Sequence, residues 1–263
     1  MTGFPQDWVV PTFEPQFFTG RRHRFVVVIP VLNEGERLAR LLARMAALKL
    51  HETIDILIVD GGTGDGSVDR QSVEPKGVRG VLIKTGAGRL SAQLRVAYAV
   101  ALAEGYDGII TIDGNDKDDP GAIPQFIAAL EAGVDFVQAS RFLPGGEAEN
   151  TPPARDLAIR FVHAPILSLA SGFHWTDTTQ GFRAYSARLL RDQRVAPFRA
   201  VFSGDELLAY LSACAPRLGF RCVELPTARR YPKGEVPTKI SAVRGNLSIL
   251  LVLVRAALGF YAP

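Results

Sequence analysis

The chain has 263 residues, 47% hydrophobic and 22% charged, with a formal net charge of +3. That length holds one large α/β domain or two small ones with a full core, and so small a net charge gives no ground for a nucleic-acid partner. Two cysteines, Cys214 and Cys222, exclude a disulfide framework, so a reduced, cytoplasmic setting is expected.

Residues 1–24 read as an N-terminal extension, with Pro5, Pro11 and Pro15 among aromatics and no charged leader before an apolar core. The apolar run Phe25 to Ile29 then predicts a strand covered on both faces, ended by Pro30. Leu38, Leu41, Leu42, Met45 and Leu48 recur at helical spacing over Arg37 to Leu48. Ile54 to Val59 is a second strand closing on Asp60 and a Gly-rich loop, and Val78 to Ile83 a third. Ser91 to Glu104 reads as a helix stopped by Gly105. Gly108 to Ile112 is the fourth strand, Ile123 to Glu131 a helix, and Asp135 to Gln138 the fifth strand. Alternation at this spacing predicts a mostly parallel sheet with helices on both faces, whose ligands bind beyond the strands' carboxyl ends.

The fourth strand feeds Thr111-Ile-Asp-Gly-Asn-Asp-Lys-Asp-Asp119, where five acidic or amide side chains crowd together. Oxygen ligands packed this closely suit a hard divalent cation, Mg²⁺ or Mn²⁺, together with substrate phosphates. Beyond Gly145 the pattern turns helical: about Arg155 to Ser171, then Gly204 to Ala213, then Ala242 to Leu258. From Arg188 onward bases outnumber acids, which points to an anionic ligand or membrane surface. No run of about 20 apolar residues offers a membrane span. The last helix, within residues 241–263, is expected to pack on the domain or lie at a membrane surface.

Taken together, Val28-Ile-Pro-Val-Leu-Asn-Glu34, Ile58-Val-Asp-Gly-Gly-Thr-Gly-Asp-Gly-Ser67, Thr111 to Pro120, Ala139-Ser-Arg-Phe142, Asp177-Thr-Thr-Gln-Gly-Phe-Arg-Ala-Tyr185 and Val223-Glu-Leu-Pro226 resemble, in this order, a family 2 glycosyltransferase. The resemblance is closest to the dolichol-phosphate mannose synthase and polyprenyl-phosphate sugar synthase branch. It implies a GT-A (Rossmann-like) domain over residues 25–240 and metal-assisted, inverting transfer from a UDP- or GDP-linked sugar to a polyprenyl phosphate or a glycan hydroxyl. It further implies that Pro30, Leu32 and Glu34 line the nucleotide pocket and that Asp60 meets the base or ribose. Asp113, Gly114 and Asn115 take the place of the metal motif, with Asp116 as a neighbouring ligand. Arg141, Arg230 and Lys239 would meet phosphate.

Two departures stand out. Gly61 replaces a usual carboxylate, and Asn115 replaces the motif's second aspartate. A lipid-phosphate acceptor needs no base, and Arg155, Arg160 and Arg183 are its candidate ligands. A hydroxyl acceptor needs a carboxylate to take its proton, and Asp205, Glu206 and Asp177 are the candidates. His163 and Trp175 read as core side chains. Two alternatives are a sugar-phosphate nucleotidylyltransferase and a degenerate nucleotide-sugar-binding protein. The first lacks a basic, Gly-rich loop after the first strand.

Overall fold

The computed structural model describes residues 3–232 and 244–263, with side chains in the latter stretch from residue 250. Its elements in order are β1 (Phe13–Phe18), β2 (Phe25–Val31), α1 (Glu36–Ala47), β3 (Asp55–Asp60), α2 (Arg70–Val73), β4 (Val78–Lys84), α3 (Leu90–Ala103), β5 (Gly108–Thr111), α4 (Ile123–Glu131), β6 (Phe136–Ser140), β7 (Glu147–Glu149) and α5 (Pro153–Ala158). A π-helical turn, Ile159–His163, joins α5 to α6 (Ala164–Ser171). There follow β8 (Arg183–Ser186), α7 (Ala187–Arg191), α8 (Glu206–Arg217), β9 (Cys222–Pro226), β10 (Ala228–Arg230) and α9 (Arg244–Ala257).

Eight strands form one sheet in the order β1-β4-β3-β2-β5-β8-β6-β9. All run one way except β1 and β8, which pair antiparallel with their neighbours. Every residue of β2 and β3 is buried, as their unbroken apolar runs require. Successive side chains alternate between the two layers. Val26, Val28, Leu57 and Val59 join α3 and α8 on one face, while Val27, Ile29, Ile56 and Ile58 join α1 and α4 on the other. The helix α9 packs on α8 and α6.

Two strands depart from the sequence reading. The stretch taken as an extension supplies β1, whose Pro15 and exposed polar residues are tolerated because it is an edge strand. The strand β8, not expected, begins on a buried arginine and lies between β5 and β6. Its register sets Arg183 against Thr111 and Gln138, so the loop Thr176 to Phe182 arrives at the carboxyl ends of β5 and β6. The fold thereby brings a late segment of chain onto the acidic loop.

Candidate active site

At the end of β2 the chain turns through Asn33 at φ 50°, whose amide donates to Thr63 Oγ1 at 3.0 Å. Asp60 is almost fully buried, and its carboxylate accepts from the amides of Gly62 and Thr63 and from the Thr63 hydroxyl. It therefore shapes its own loop. Glu34 pairs with Arg37 at 3.0 Å, and Leu32 is exposed beside it. Gly114 presses on this turn: a Cβ there would stand 3.2 Å from Val31 Cγ2 and 3.3 Å from the Pro30 carbonyl. Pro30, Glu34 and Gly114 are thus neighbours.

Asp113 keeps a partly exposed carboxylate, touched by Asn115 Nδ2 at 3.4 Å and Arg229 Nη2 at 3.5 Å. The Asn115 side-chain oxygen accepts from the Lys117 amide at 3.2 Å. Asp116 is a correction to the expected ligand set. At φ 57° its backbone is left-handed, and its carboxylate bonds Arg40 Nε at 3.2 Å and Arg44 Nη1 at 3.0 Å on α1. It is spent there.

The cation opposite Asp113 is Arg229, which the sequence reading passed over for Arg230. β10 lies along the acidic loop, with the Arg230 amide donating to the Lys117 carbonyl at 2.8 Å and the Asp119 amide to the Ala228 carbonyl at 3.2 Å. In that register Arg229 faces Asp118 and Nη1 lies 2.6 Å from both carboxylate oxygens. Burial opposes the Arg229 charge, but Asp118 and Asp113 outweigh it and raise its pKa well above the ordinary value. Alternation sends Arg230 to the other face, where it meets Glu147 at 2.9 Å and Glu149 at 3.0 Å on β7. Lys239 lies outside the described residues.

A second cation, Arg141 at the end of β6, is fully buried against Asp177, with Nε 2.7 Å from Oδ2. Burial would raise the Asp177 carboxyl; Arg141, Gln180 and the Thr179 amide hold it below the ordinary carboxylate value. Glu224 on β9 accepts from the Thr176 and Asp177 amides and fixes the loop. Arg141 Nη1 is buried without a hydrogen-bond partner among the described residues. Close by, Lys117 Nζ lies 4.8 Å and the Arg229 guanidinium 5.8 Å from the centre of the Tyr231 ring, and the charges of Arg141 and Arg155 of α5 reach the same ring. Arg155 and Lys117 are both depressed, by burial first and then in part by neighbouring arginines. Burial would raise Tyr231, yet Arg229, Arg155 and Arg141 pull it below its usual value. Arg141 and Arg229 are held by Asp177 and Asp118, and cations concentrated and fixed in this way suit an anion.

The other candidates sit elsewhere. Arg183 is buried and donates to the carbonyls of Gln180, Leu208 and Thr178, tying the loop to α8. Arg160 pairs with Asp156 at 2.9 Å and covers the Phe142 ring at 4.0 Å. Asp205 bonds Arg89 Nη2 at 2.6 Å, and Glu206 accepts from the Gly204 amide at 2.7 Å, both at the junction of α3 and α8. Asp177 is enclosed in its ion pair. Trp175 is a core residue, its Nε1 donating to Ser171 Oγ at 3.1 Å. His163 departs from expectation: its Nδ1 is buried without a partner among the described residues, and burial then Arg155 lower its pKa.

A divalent ion needs only one or two protein carboxylates when substrate phosphates complete its shell. Asp113, whose carboxylate is partly exposed, and the Asn115 carboxamide oxygen fit that demand. Among the described residues no cluster of three or more His, Cys, Asp or Glu fits a metal on its own.

Comparison with known proteins agrees. The Glycosyl transferase family 2 model matches residues 26–194, and the chain belongs to that family. Undecaprenyl-phosphate mannosyltransferase of Micrococcus luteus is 30% identical over 207 residues, covering 77% of this chain and 82% of that protein. Polyprenol monophosphomannose synthase of Mycolicibacterium smegmatis is 29% identical, covering 64% of this chain and 63% of that one. Among solved structures, glucosyl-3-phosphoglycerate synthase from Mycobacterium tuberculosis, in complex with Mn²⁺, UDP and phosphoglyceric acid, superposes with a TM-score of 0.61 at 17% identity, over 89% of this chain and 77% of that one. The fold is the expected GT-A fold. The chain is a glycosyltransferase, which displaces the nucleotidylyltransferase alternative.

Proposed function

We propose that this glycosyltransferase moves a sugar from a UDP- or GDP-linked donor to a polyprenyl phosphate, with inversion at the anomeric carbon. The observation that carries this reading is the cationic cluster near Asp113, in which Arg141, Arg229 and Lys117 are buried and Arg155 is half-buried. A phosphate monoester is already an anion near neutral pH, carrying about −1.5 to −2 charges. It attacks the anomeric carbon without a general base. That matches the three carboxylates proposed as bases, each engaged in a contact of its own.

Asp113 and Asn115 would hold a Mg²⁺ or Mn²⁺ ion, which when bound supplies positive charge to the departing diphosphate. Arg229, fixed by Asp118, adds a preorganised cation on the same side. Arg141, fixed by Asp177, and Arg155 orient the acceptor phosphate. Pro30, Leu32 and Glu34 border the nucleotide.

The acceptor's lipid explains a second surface. Leu157, Phe161 and Leu169 recur at four- and eight-residue intervals through α5, the π turn and α6, and all are exposed, Leu169 by 90%. On α9, which packs on α6, and just past its end, Leu251, Val254 and Leu258 form another exposed stripe, flanked by Phe260. No helix among the described residues is long and apolar enough to cross a membrane. These stripes would seat the protein peripherally on the bilayer, with Arg155, two residues before Leu157, at headgroup depth.

The test is a panel of nucleotide-sugars incubated with purified protein, Mn²⁺ and a polyprenyl phosphate, with lipid products weighed by mass spectrometry. A glycosyl-phosphoryl-polyprenol from one donor supports the reading. Turnover of donors with no lipid product contradicts it.

A further inference from the structure

We propose that Gly181 is a positioning residue for Asp113, because only a residue without a side chain leaves room for the carboxylate where it stands. This rests on the reading above for the role of Asp113, but the contact itself stands on geometry alone. In the β5–β8 ladder Thr111 faces Arg183. Extending that antiparallel register by two residues sets Asp113 opposite Gly181. A Cβ built on Gly181 would stand 2.8 Å from the Asp113 carboxyl carbon and closer still to Oδ1.

The requirement is steric. Gly181 does not adopt the positive φ that commonly selects glycine, as Gly62 does at φ 103°. Its backbone has little freedom to retreat. On one side, the Gln180 side chain donates to Asp177 Oδ2 at 2.6 Å and the Gln180 carbonyl accepts from Arg183 Nε at 2.8 Å. On the other, the Phe182 carbonyl accepts from the Ala139 amide at 3.0 Å, and the Phe182 ring stacks on Phe126 at 4.3 Å. Asp113 is the softer partner, held among the described residues by contacts of 3.4 and 3.5 Å and partly exposed. A methyl group at position 181 therefore turns the carboxylate away from Asn115 and Arg229 and leaves the loop in place.

The experiment pairs a metal titration with a stability cycle. In Gly181→Ala the Mn²⁺ concentration giving half-maximal transfer rises by about tenfold or more, the scale on which ligand-orienting residues act. Melting temperatures are compared for wild type, Gly181→Ala, Asp113→Ala and the double variant, without metal. The alanine at 181 lowers the melting temperature in the wild-type background and has little effect once Asp113 is alanine. Should Gly181→Ala fail to fold alone but fold in the Asp113→Ala background, the steric contact is equally supported. Equal losses in both backgrounds, or failure to fold in both, overturn the proposal. So does an unchanged half-activating Mn²⁺ concentration in a folded, Mn²⁺-dependent Gly181→Ala enzyme. If the wild type itself shows no Mn²⁺ dependence, the metal reading falls, and the stability cycle still decides the contact.

Discussion

Arg229 meets Asp118 through one guanidinium nitrogen placed 2.6 Å from each carboxylate oxygen, and its other terminal nitrogen reaches toward Asp113. This ion pair is buried, so its geometry is set before any ligand arrives. A fixed cation in a dry site is worth more to a developing negative charge than a mobile one on the surface. The neighbouring Arg230 has the same chemistry and the opposite direction. Substituting the two separately isolates the effect of direction. Arg229→Met is expected to reduce kcat for sugar transfer by about 10²–10³-fold, whereas Arg230→Met stays within about threefold of wild type because its surface pairs contribute little. Initial rates under saturating donor check both.

The Arg141–Asp177 pair has a stability consequence with a definite sign. The folded carboxyl lies below its ordinary value of 3.8, so the stabilisation it gives is fully present above that value. It is lost as pH falls from there through the lowered folded value. The melting temperature of Asp177→Asn is expected to fall less steeply than that of wild type below about pH 4. Arg141→Met leaves a buried charge uncompensated and is expected to cost about 3–5 kcal/mol at neutral pH. Chemical denaturation measures the second effect, and a thermal series in acid the first.

Asp205 and Glu206 distinguish the two acceptor classes. If a phosphate is the nucleophile, Asp205→Asn and Glu206→Gln leave kcat within about threefold, since no proton has to be removed; a catalytic base would cost about 10²–10⁴-fold. A loss of that size with normal folding would transfer the assignment to a hydroxyl acceptor.

The exposed stripes on α5–α6 and α9 predict binding to vesicles. Phe161 is 71% exposed and Leu258 70% exposed. Burying either in lipid is worth about 1.5–3 kcal/mol. Phe161→Ser and Leu258→Ser are each expected to weaken partition onto anionic vesicles by about tenfold or more, without changing the melting temperature. Cosedimentation reads the first, and calorimetry the second.

How much of this was legible in the sequence depends on the kind of signal. β2, β3 and β5 announce themselves because both faces are covered and their central positions are apolar. The acidic loop is legible for the same reason, since it begins where β5 stops. β1 was hidden by Glu14 and Pro15, which an edge strand accepts. β8 was hidden because its inward residue is Arg183, whose charge is met by three backbone carbonyls that no local pattern reveals. Arg229 and Arg230 differ only in strand parity, and a one-residue offset reverses the face. Asp116 is engaged by arginines of α1 because one left-handed residue turns it that way, which no local pattern reveals. Asp113 and Arg141 stand out in the sequence, whereas the residues they meet, Gly181 and Asp177, come from a segment about 40 to 70 residues later, joined to them only by tertiary pairing.

In the proposed reaction Asp113 and the arginines near it drive transfer onto a lipid phosphate. The most direct measurement offers the enzyme a polyprenyl phosphate and the matching polyprenol in parallel, with wild type and Asp113→Ala, in Mn²⁺ and in EDTA. The expected result is a glycosyl-phosphoryl lipid from wild type with Mn²⁺ only, no product from the alcohol, and a rate lowered by about 10³-fold or more in Asp113→Ala. Transfer to the alcohol, or near-normal transfer by Asp113→Ala, would contradict it.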